Sequence, residues 1–258
     1  MKGSRSRIAS RDNALLVRIR RLNAAPDAYR KLGAVWLEGD HLLSAALARG
    51  WRIDDALVAA SHEHDGPLQP LLHRAQHVRV VDDKLWSGLG SLSSKAPIAG
   101  VARWPGMQPI VSDVATVVLD RVQDAGNLGS MLRSAAAFGI AQVIALKGCV
   151  ALWSPKVLRA GMGAHFALHL VEAADETALD ALRVPLVATS SHATQSVVTA
   201  ALPQPCAWVF GHEGQGVAAS LLVRCALQVA IPQPGGEESL NVAAAAAVCL
   251  YESARRTQ

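Results

Sequence analysis

The chain has 258 residues, of which 51% are apolar and 18% charged, with a formal net charge of +4. That apolar share supplies a sizeable core and excludes a disordered chain, and the 20 Gly and 12 Pro fall without period, which excludes a collagen-like repeat. Four cysteines (Cys149, Cys206, Cys225, Cys249) lie far apart with no CxxC pair, which argues against a disulfide scaffold or a zinc ribbon and for a reducing compartment.

Residues 1–31 carry nine Lys and Arg against Asp12 and Asp27, a balance of +7. Residues 1–105 together stand at +6 and residues 106–258 at −2. A basic first part joined to a near-neutral second predicts that one end meets a polyanion while the other does chemistry. A solvated basic helix face is the plain alternative. The basic N-terminus has no apolar core or cleavage site of a signal peptide. The longest charge-free stretch, 184–212, holds Ser, Thr, Gln, His and Pro and cannot span a bilayer. A soluble, cytoplasmic protein is expected.

In the first part, AVWLEG (34–39) reads as a strand and DHLLSAALARG (40–50) as a helix ending on Gly50. ALVAA (56–60) is a second strand, PLLHRAQ (70–76) a helical turn, VRVV (78–81) a third strand and DDKLWSGLG (82–90) a short helix. The stretch 91–109 is rich in Ser, Gly and Pro, and its end, Trp104 to Pro109, reads as the linker. Two domains are therefore expected, 1–105 and 106–258.

The second part alternates short apolar runs with helical segments. Strands are expected at 115–120, 142–146, 166–170, 184–190, 206–211 and 228–232. Helices are expected at 127–139, 154–163 and 239–256, with Ser154 capping the second and Pro155 at its first position. Near-continuous apolar strands separated by helices predict an α/β fold with a parallel sheet covered on both faces.

Three glycine-bearing segments follow candidate strands, where open α/β sheets place ligands. They are LDRVQDAGNLGSMLRSAAAFG (119–139), VFGHEGQGV (209–217) and IPQPGGEESLNVAAAAA (231–247). None carries GxGxxG or GxxxxGK[ST], so dinucleotide and P-loop readings fail. In the first, Asn127 offers both donor and acceptor, and the Arg133 guanidinium suits phosphate. Asn127 as a helix cap and Arg133 paired with Asp120 or Asp124 are the structural alternatives. Glu213 sits among three glycines that let the backbone approach a ligand. Ser239 and Asn241 open the final helix, whose free N–H groups attract anions, and an ordinary cap at Ser239 is the alternative. His212 is assigned nothing.

In this order and spacing the three segments resemble the three motifs of the SpoU (TrmH-like) RNA 2′-O-ribose methyltransferases of the SPOUT superfamily, over residues 115–252. SPKVLRAGMGAHFALHL (154–170) is similar to the family's intervening segment. Residues 8–60 are similar to the small L30e-like α/β substrate-binding domain often placed before that catalytic domain, through a basic helix and the Glu38-Gly39 pair. The resemblance implies a trefoil-knotted, parallel-sheet C-terminal domain that moves methyl from S-adenosylmethionine to a ribose 2′-hydroxyl. It assigns Asn127, Arg133, Glu213, Ser239 and Asn241 to catalysis. Gly211, Ile231 and Leu240 would meet the adenosine part mainly through backbone groups, with Gly216 and Thr189 in the same pocket.

Arg133 corresponds to the family's proposed proton acceptor, but arginine stays charged, so holding a phosphate and polarising the hydroxyl is the alternative role. A homodimer through the C-terminal domain, no metal, and an RNA substrate, ribosomal rather than tRNA, are expected. Ala125 stands where the family commonly has Pro, Gln233 where it commonly has Met, and Glu237 adds a negative charge. The competing readings are a SPOUT base methyltransferase and an RNA-binding module without catalysis.

Overall fold

Uninterrupted apolar runs such as VVL at 117–119 and WVF at 208–210 have no polar face, so both of their sides need cover. The computed structural model describes residues 4–90, 96–235 and 239–256. The first elements in chain order are β1 (Ser4–Ile8), α1 (Ala14–Ala24), α2 (Ala28–Leu32), β2 (Ala34–Glu38), α3 (Asp40–Ala48), β3 (Ile53–Ala59), α4 (Gln69–Leu72), β4 (His77–Val81), α5 (Asp83–Trp86) and β5 (Ile98–Arg103). There follow β6 (Thr116–Leu119), α6 (Ala125–Ala137), β7 (Gln142–Leu146), α7 (Pro155–Gly161), β8 (His169–Ala174), β9 (Leu186–Thr189), β10 (Gln195–Ser196), β11 (Ala207–Phe210), α8 (Ala219–Leu222), β12 (Leu227–Ala230) and α9 (Val242–Arg255). The chain divides into two compact units, Met1–Gly106 with Trp153–Phe166, and Met107–Leu152 with Ala167–Gln258.

The first unit holds a sheet of order β1-β4-β3-β5-β2, parallel except that β5 is antiparallel to both neighbours. Two of its strands escaped the sequence reading. SRSRI, which reads only as a basic stretch, is an edge strand on β4 with Ile8 alone buried, and its Arg7 pairs with Asp82 at 2.9 Å. IAGVAR, inside the Ser/Gly/Pro-rich stretch, is β5 and is buried from Ile98 to Ala102. A Cβ on Gly100 would lie 2.5 Å from Leu43 Cδ2 on α3, so this glycine marks close packing rather than a loop. Residues 91–95 of the same stretch lie outside the described residues.

Helix α7 belongs to the first unit. It starts as its sequence predicts, with Ser154 Oγ accepting from the Val157 N–H and Pro155 in the first turn. Trp153 and Phe166 place their rings 5.3 and 5.0 Å from that of Trp51. With Phe166 committed to this cluster, the strand expected at 166–170 begins later, at His169.

The second unit is a seven-stranded sheet of order β10-β12-β9-β11-β6-β7-β8, parallel throughout. Val118, Ile144, Val171, Ala188 and Val209 from five strands pack with Leu221 of α8 in one buried cluster. Strand β10 has only Gln195 and Ser196, with no apolar run to announce it. β6 and β11 lie side by side although four strands separate them in sequence. The segments leaving β6, β11 and β12 are the three glycine-bearing ones, and they emerge at carboxyl ends of parallel strands, where such sheets bind ligands.

Candidate functional site

Asp120, at the end of β6, is buried despite its charge, and it is fully used. Arg121 Nε donates to its Oδ1 at 2.8 Å, and the Ala218 N–H donates to Oδ2 at 2.8 Å. Arg121 has φ 57°, in the left-handed region, and its Nη1 reaches Gln215 Oε1 at 2.8 Å. The first and second segments are thus joined by a charged clamp. Asp124, not Asn127, caps α6, its Oδ1 accepting from the Asn127 N–H at 2.7 Å. Asp120 and Asp124 therefore have other partners, and neither pairs with Arg133.

The Asn127 side chain lies instead at the centre of a relay. Its Nδ2 donates to Glu213 Oε1 at 3.2 Å, and its Oδ1 accepts from Asn241 Nδ2 at 2.9 Å. Asn241 is the cap of α9, with Oδ1 accepting from the Ala243 and Ala244 N–H groups at 2.9 and 3.2 Å. The capping role expected as the alternative for Ser239 falls two residues later. The network also fixes both amide orientations. Helix N–H groups demand the oxygen of Asn241, leaving its nitrogen for Asn127, while an ionised Glu213 accepts only.

Glu213 further accepts from the Asp124 N–H at 3.2 Å and the Gln123 N–H at 3.5 Å. Burial acts to raise its carboxyl, but hydrogen bonds from its own N–H, Asn127, Asp124 and Gln123 outweigh that and hold it below the ordinary value. An anion fed by backbone donors ahead of α6 also suits the positive end of that helix.

The loop carrying Glu213 folds back on itself. His212 and Gly216 exchange backbone hydrogen bonds of 3.0 and 2.8 Å, and Gly216 has φ 66°. A Cβ on Gly211 would lie 2.1 Å from the Gly216 carbonyl carbon, so only glycine fits. Inside the turn, His212 Nδ1 accepts from the Gly214 and Gln215 N–H groups at 3.0 and 3.2 Å. Nδ1 is thus the acceptor that closes the turn.

Beside the turn is a cleft of about 500 Å³. Thr189, Gly211, Gly216, Ile231 and Leu240, the five residues expected at the cofactor, all line it, as do Glu213 and Ser239. Asn127 and Asn241 stand behind Glu213 in the relay rather than in the cleft lining. Arg133 does neither. Six residues beyond Asn127, it sits about 120° around α6 and about 9 Å along it, exposed and with no hydrogen bond or ion pair among the described residues. Glu237 lies outside the described residues.

Sequence reasoning missed the Asp120–Arg121 clamp and the His212 cap. Asp120 carried a signal, since a charge closing an apolar strand is costly unless paired. His212 carried none. Burial pushes the thiols of Cys149, Cys206 and Cys225 up to about 11 and that of Cys249 to about 12, so they stay protonated near neutrality. No group of three or more His, Cys, Asp or Glu among the described residues is arranged to hold a metal, and no described helix is long and apolar enough to cross a membrane.

Residues 115–251 match the SpoU rRNA Methylase family. The chain is 32% identical to an uncharacterized tRNA/rRNA methyltransferase of Synechocystis, over 96% of this chain and 93% of that one. It is 30% identical to the 23S rRNA (guanosine(2553)-2′-O)-methyltransferase RlmP of Bacillus subtilis, over 86% of this chain and 88% of that one. The structure is similar to that of the SpoU methyltransferase AviRb of Streptomyces viridochromogenes in complex with AdoMet, with TM-score 0.85 and 26% identity, covering 95% of this chain and 98% of that one.

Proposed function

The chain belongs to the SpoU rRNA methylase family, and from that premise we propose that it transfers a methyl group from S-adenosylmethionine to a ribose 2′-hydroxyl of ribosomal RNA, of the 23S type. The observation that carries this reading is the relay Asn241–Asn127–Glu213, which gathers all three motif segments beside one cleft.

The residues present suit the cofactor. Ile231, Leu240 and Val242 give the cleft apolar surface, Thr189 and Ser190 give it hydroxyls, and the buried Oε1 of Gln233 lacks a hydrogen-bond partner among the described residues. When bound, S-adenosylmethionine supplies an activated methyl group on its sulfonium. A ribose hydroxyl is a weak nucleophile, so the protein must hold it in line and lighten its hold on its proton. Arginine's planar fork suits phosphate, and the exposure of Arg133 with no ion-pair partner among the described residues supports a role in holding a backbone phosphate and polarising the hydroxyl. Glu213, Asn127 and Asn241 hold the loops in register, and Ser239 faces the cleft as a further donor.

In this reading residues 1–105 form the RNA-gripping domain, and residues 106–258, apart from the 153–166 segment that belongs to the first compact unit, form the methyl-transfer domain, knotted as in the family. Support for the first comes from Arg11, Arg21 and Lys31, all exposed, although Arg7 and Arg18 serve the fold by pairing with Asp82 and the Leu32 carbonyl. The protein acts as a cytoplasmic homodimer through the second domain. Val248 and Tyr251 stand exposed on α9, and α9 packs on α6, which carries Arg133.

The test is transfer of labelled methyl into separate unmethylated ribosomal RNA and tRNA pools, with Arg133→Ala as control. Label recovered as a 2′-O-methyl nucleoside from ribosomal RNA alone, and lost with the variant, is the expected result. Label on a base, or cofactor binding without transfer to either pool, overturns it.

A further inference from the structure

Gln233 stands in the third segment and lines the same cleft as Ile231 and Leu240, and its buried Oε1 has no hydrogen-bond partner among the described residues. Nearly every buried acceptor in a folded protein is hydrogen-bonded, because leaving one dry is costly. An unpaired amide oxygen on a residue that lines a ligand cleft is therefore an acceptor that a turn of the amide can offer to a ligand donor.

The neighbouring side chains indicate which part of the cofactor it meets. The third segment supplies apolar Ile231, Leu240 and Val242 along with polar Ser239, whereas the carboxylate at the cleft, Glu213, comes from the second. A flat heterocycle fits the former and a charged amino-acid tail the latter. Among heterocycles, adenine presents an exocyclic amine next to a ring nitrogen, and the glutamine amide, one acceptor beside one donor, is its complement.

We propose that Gln233 reads the adenine edge of S-adenosylmethionine, its Oε1 accepting from the exocyclic amine and its Nε2 donating to the adjacent ring nitrogen. This rests on the reading of the cleft as the cofactor site. It makes Gln233 a selectivity residue that relies on a group left unsatisfied in the free protein.

The experiment is calorimetric titration of S-adenosylhomocysteine and of S-inosylhomocysteine, in which a carbonyl replaces the amine, into the wild-type protein and Gln233→Met. Thermal unfolding without ligand accompanies it, and Gln233→Leu serves as a second apolar replacement. The wild type binds the adenosine compound more tightly, and the replacements weaken that binding about 5- to 100-fold, as loss of two neutral hydrogen bonds does. Affinity for the inosine compound falls less, because its carbonyl cannot donate to Oε1 and only the ring-nitrogen bond is at stake, and the unliganded variants unfold no earlier than the wild type, because an unpaired buried oxygen has been removed. An adenosine-over-inosine preference equal in all three proteins overturns the proposal. So does earlier unfolding of both variants with equal loss of both ligands, which marks a packing role. Failure of the wild type to bind S-adenosylhomocysteine at all overturns the cofactor-cleft reading itself.

Discussion

Asn241 Nδ2 donates to Asn127 Oδ1 over 2.9 Å, tying the third motif segment to the first across 114 residues of sequence. The same Asn241 caps α9 through its oxygen, so one side chain serves both a helix and a tertiary link. Asn241→Ser keeps the cap and removes the link, whereas Asn241→Ala removes both. Urea unfolding of the alanine variant is expected to show a loss of about 1–2 kcal/mol, and of the serine variant under about 1 kcal/mol. Pairing Asn241→Ser with Asn127→Ala then costs less than the sum of the two, because both break the same contact.

Glu213 couples that network to pH. Its folded carboxyl is held below its ordinary value of 4.5, so its contribution to stability is fully present above the unfolded value and is lost as pH falls through the lowered folded one. The stability gap between wild type and Glu213→Gln is expected to be constant near neutrality and to close only below about pH 4.5. Denaturant curves at a series of pH values measure it. A gap that closes already at pH 6 would show that another group is titrating.

His212 makes the bonds of an Asx cap with an imidazole nitrogen. Asparagine offers an acceptor to the same two N–H groups two and three residues on, so His212→Asn is expected to keep affinity for S-adenosylhomocysteine within about twofold. His212→Ala leaves the turn uncapped and weakens it about 3- to 10-fold, as loss of about 1 kcal/mol implies. Equal damage from both substitutions, read by calorimetry, would deny the cap its part.

Arg133 is exposed and makes no hydrogen bond or ion pair among the described residues. Arg133→Ala is therefore expected to leave stability unchanged within about 0.5 kcal/mol, and to leave cofactor affinity intact. Methyl transfer falls by at least about tenfold, the effect of losing a charged contact worth about 1.5–3 kcal/mol. Arg133→Lys recovers only part of it, since a point charge replaces a planar fork. Transfer rates with excess RNA, set beside unfolding curves, separate these effects.

Much of the second unit was legible because its strands are short apolar runs between helical segments: QVIAL at 142–146 is β7 residue for residue. In the first unit, β5 hid among glycines and serines, since IAGVAR packs through small side chains that composition counts as loop. Edge strand β1 hid behind arginines, because one buried Ile8 is too little pattern to reveal a pairing supplied by β4.

By themselves the residues determined the chemistry on offer: three glycine-bearing turns after apolar strands, carrying a carboxylate, two amides, a hydroxyl and a guanidinium. They also determined helix starts such as Ser154-Pro155, because capping is settled within a few residues. Only the tertiary structure decided which partners those groups take. Placing β11 beside β6 turns Glu213 towards Asn127 and lets Arg121 reach Gln215. It also left Arg133 outside the cleft lining, and left Gln233, which is in that lining, with a buried oxygen unpaired among the described residues. Hydrogen bonds act over about 3 Å, and which atoms come that close is set by strand order and by the angle around a helix, neither of which is written in local spacing.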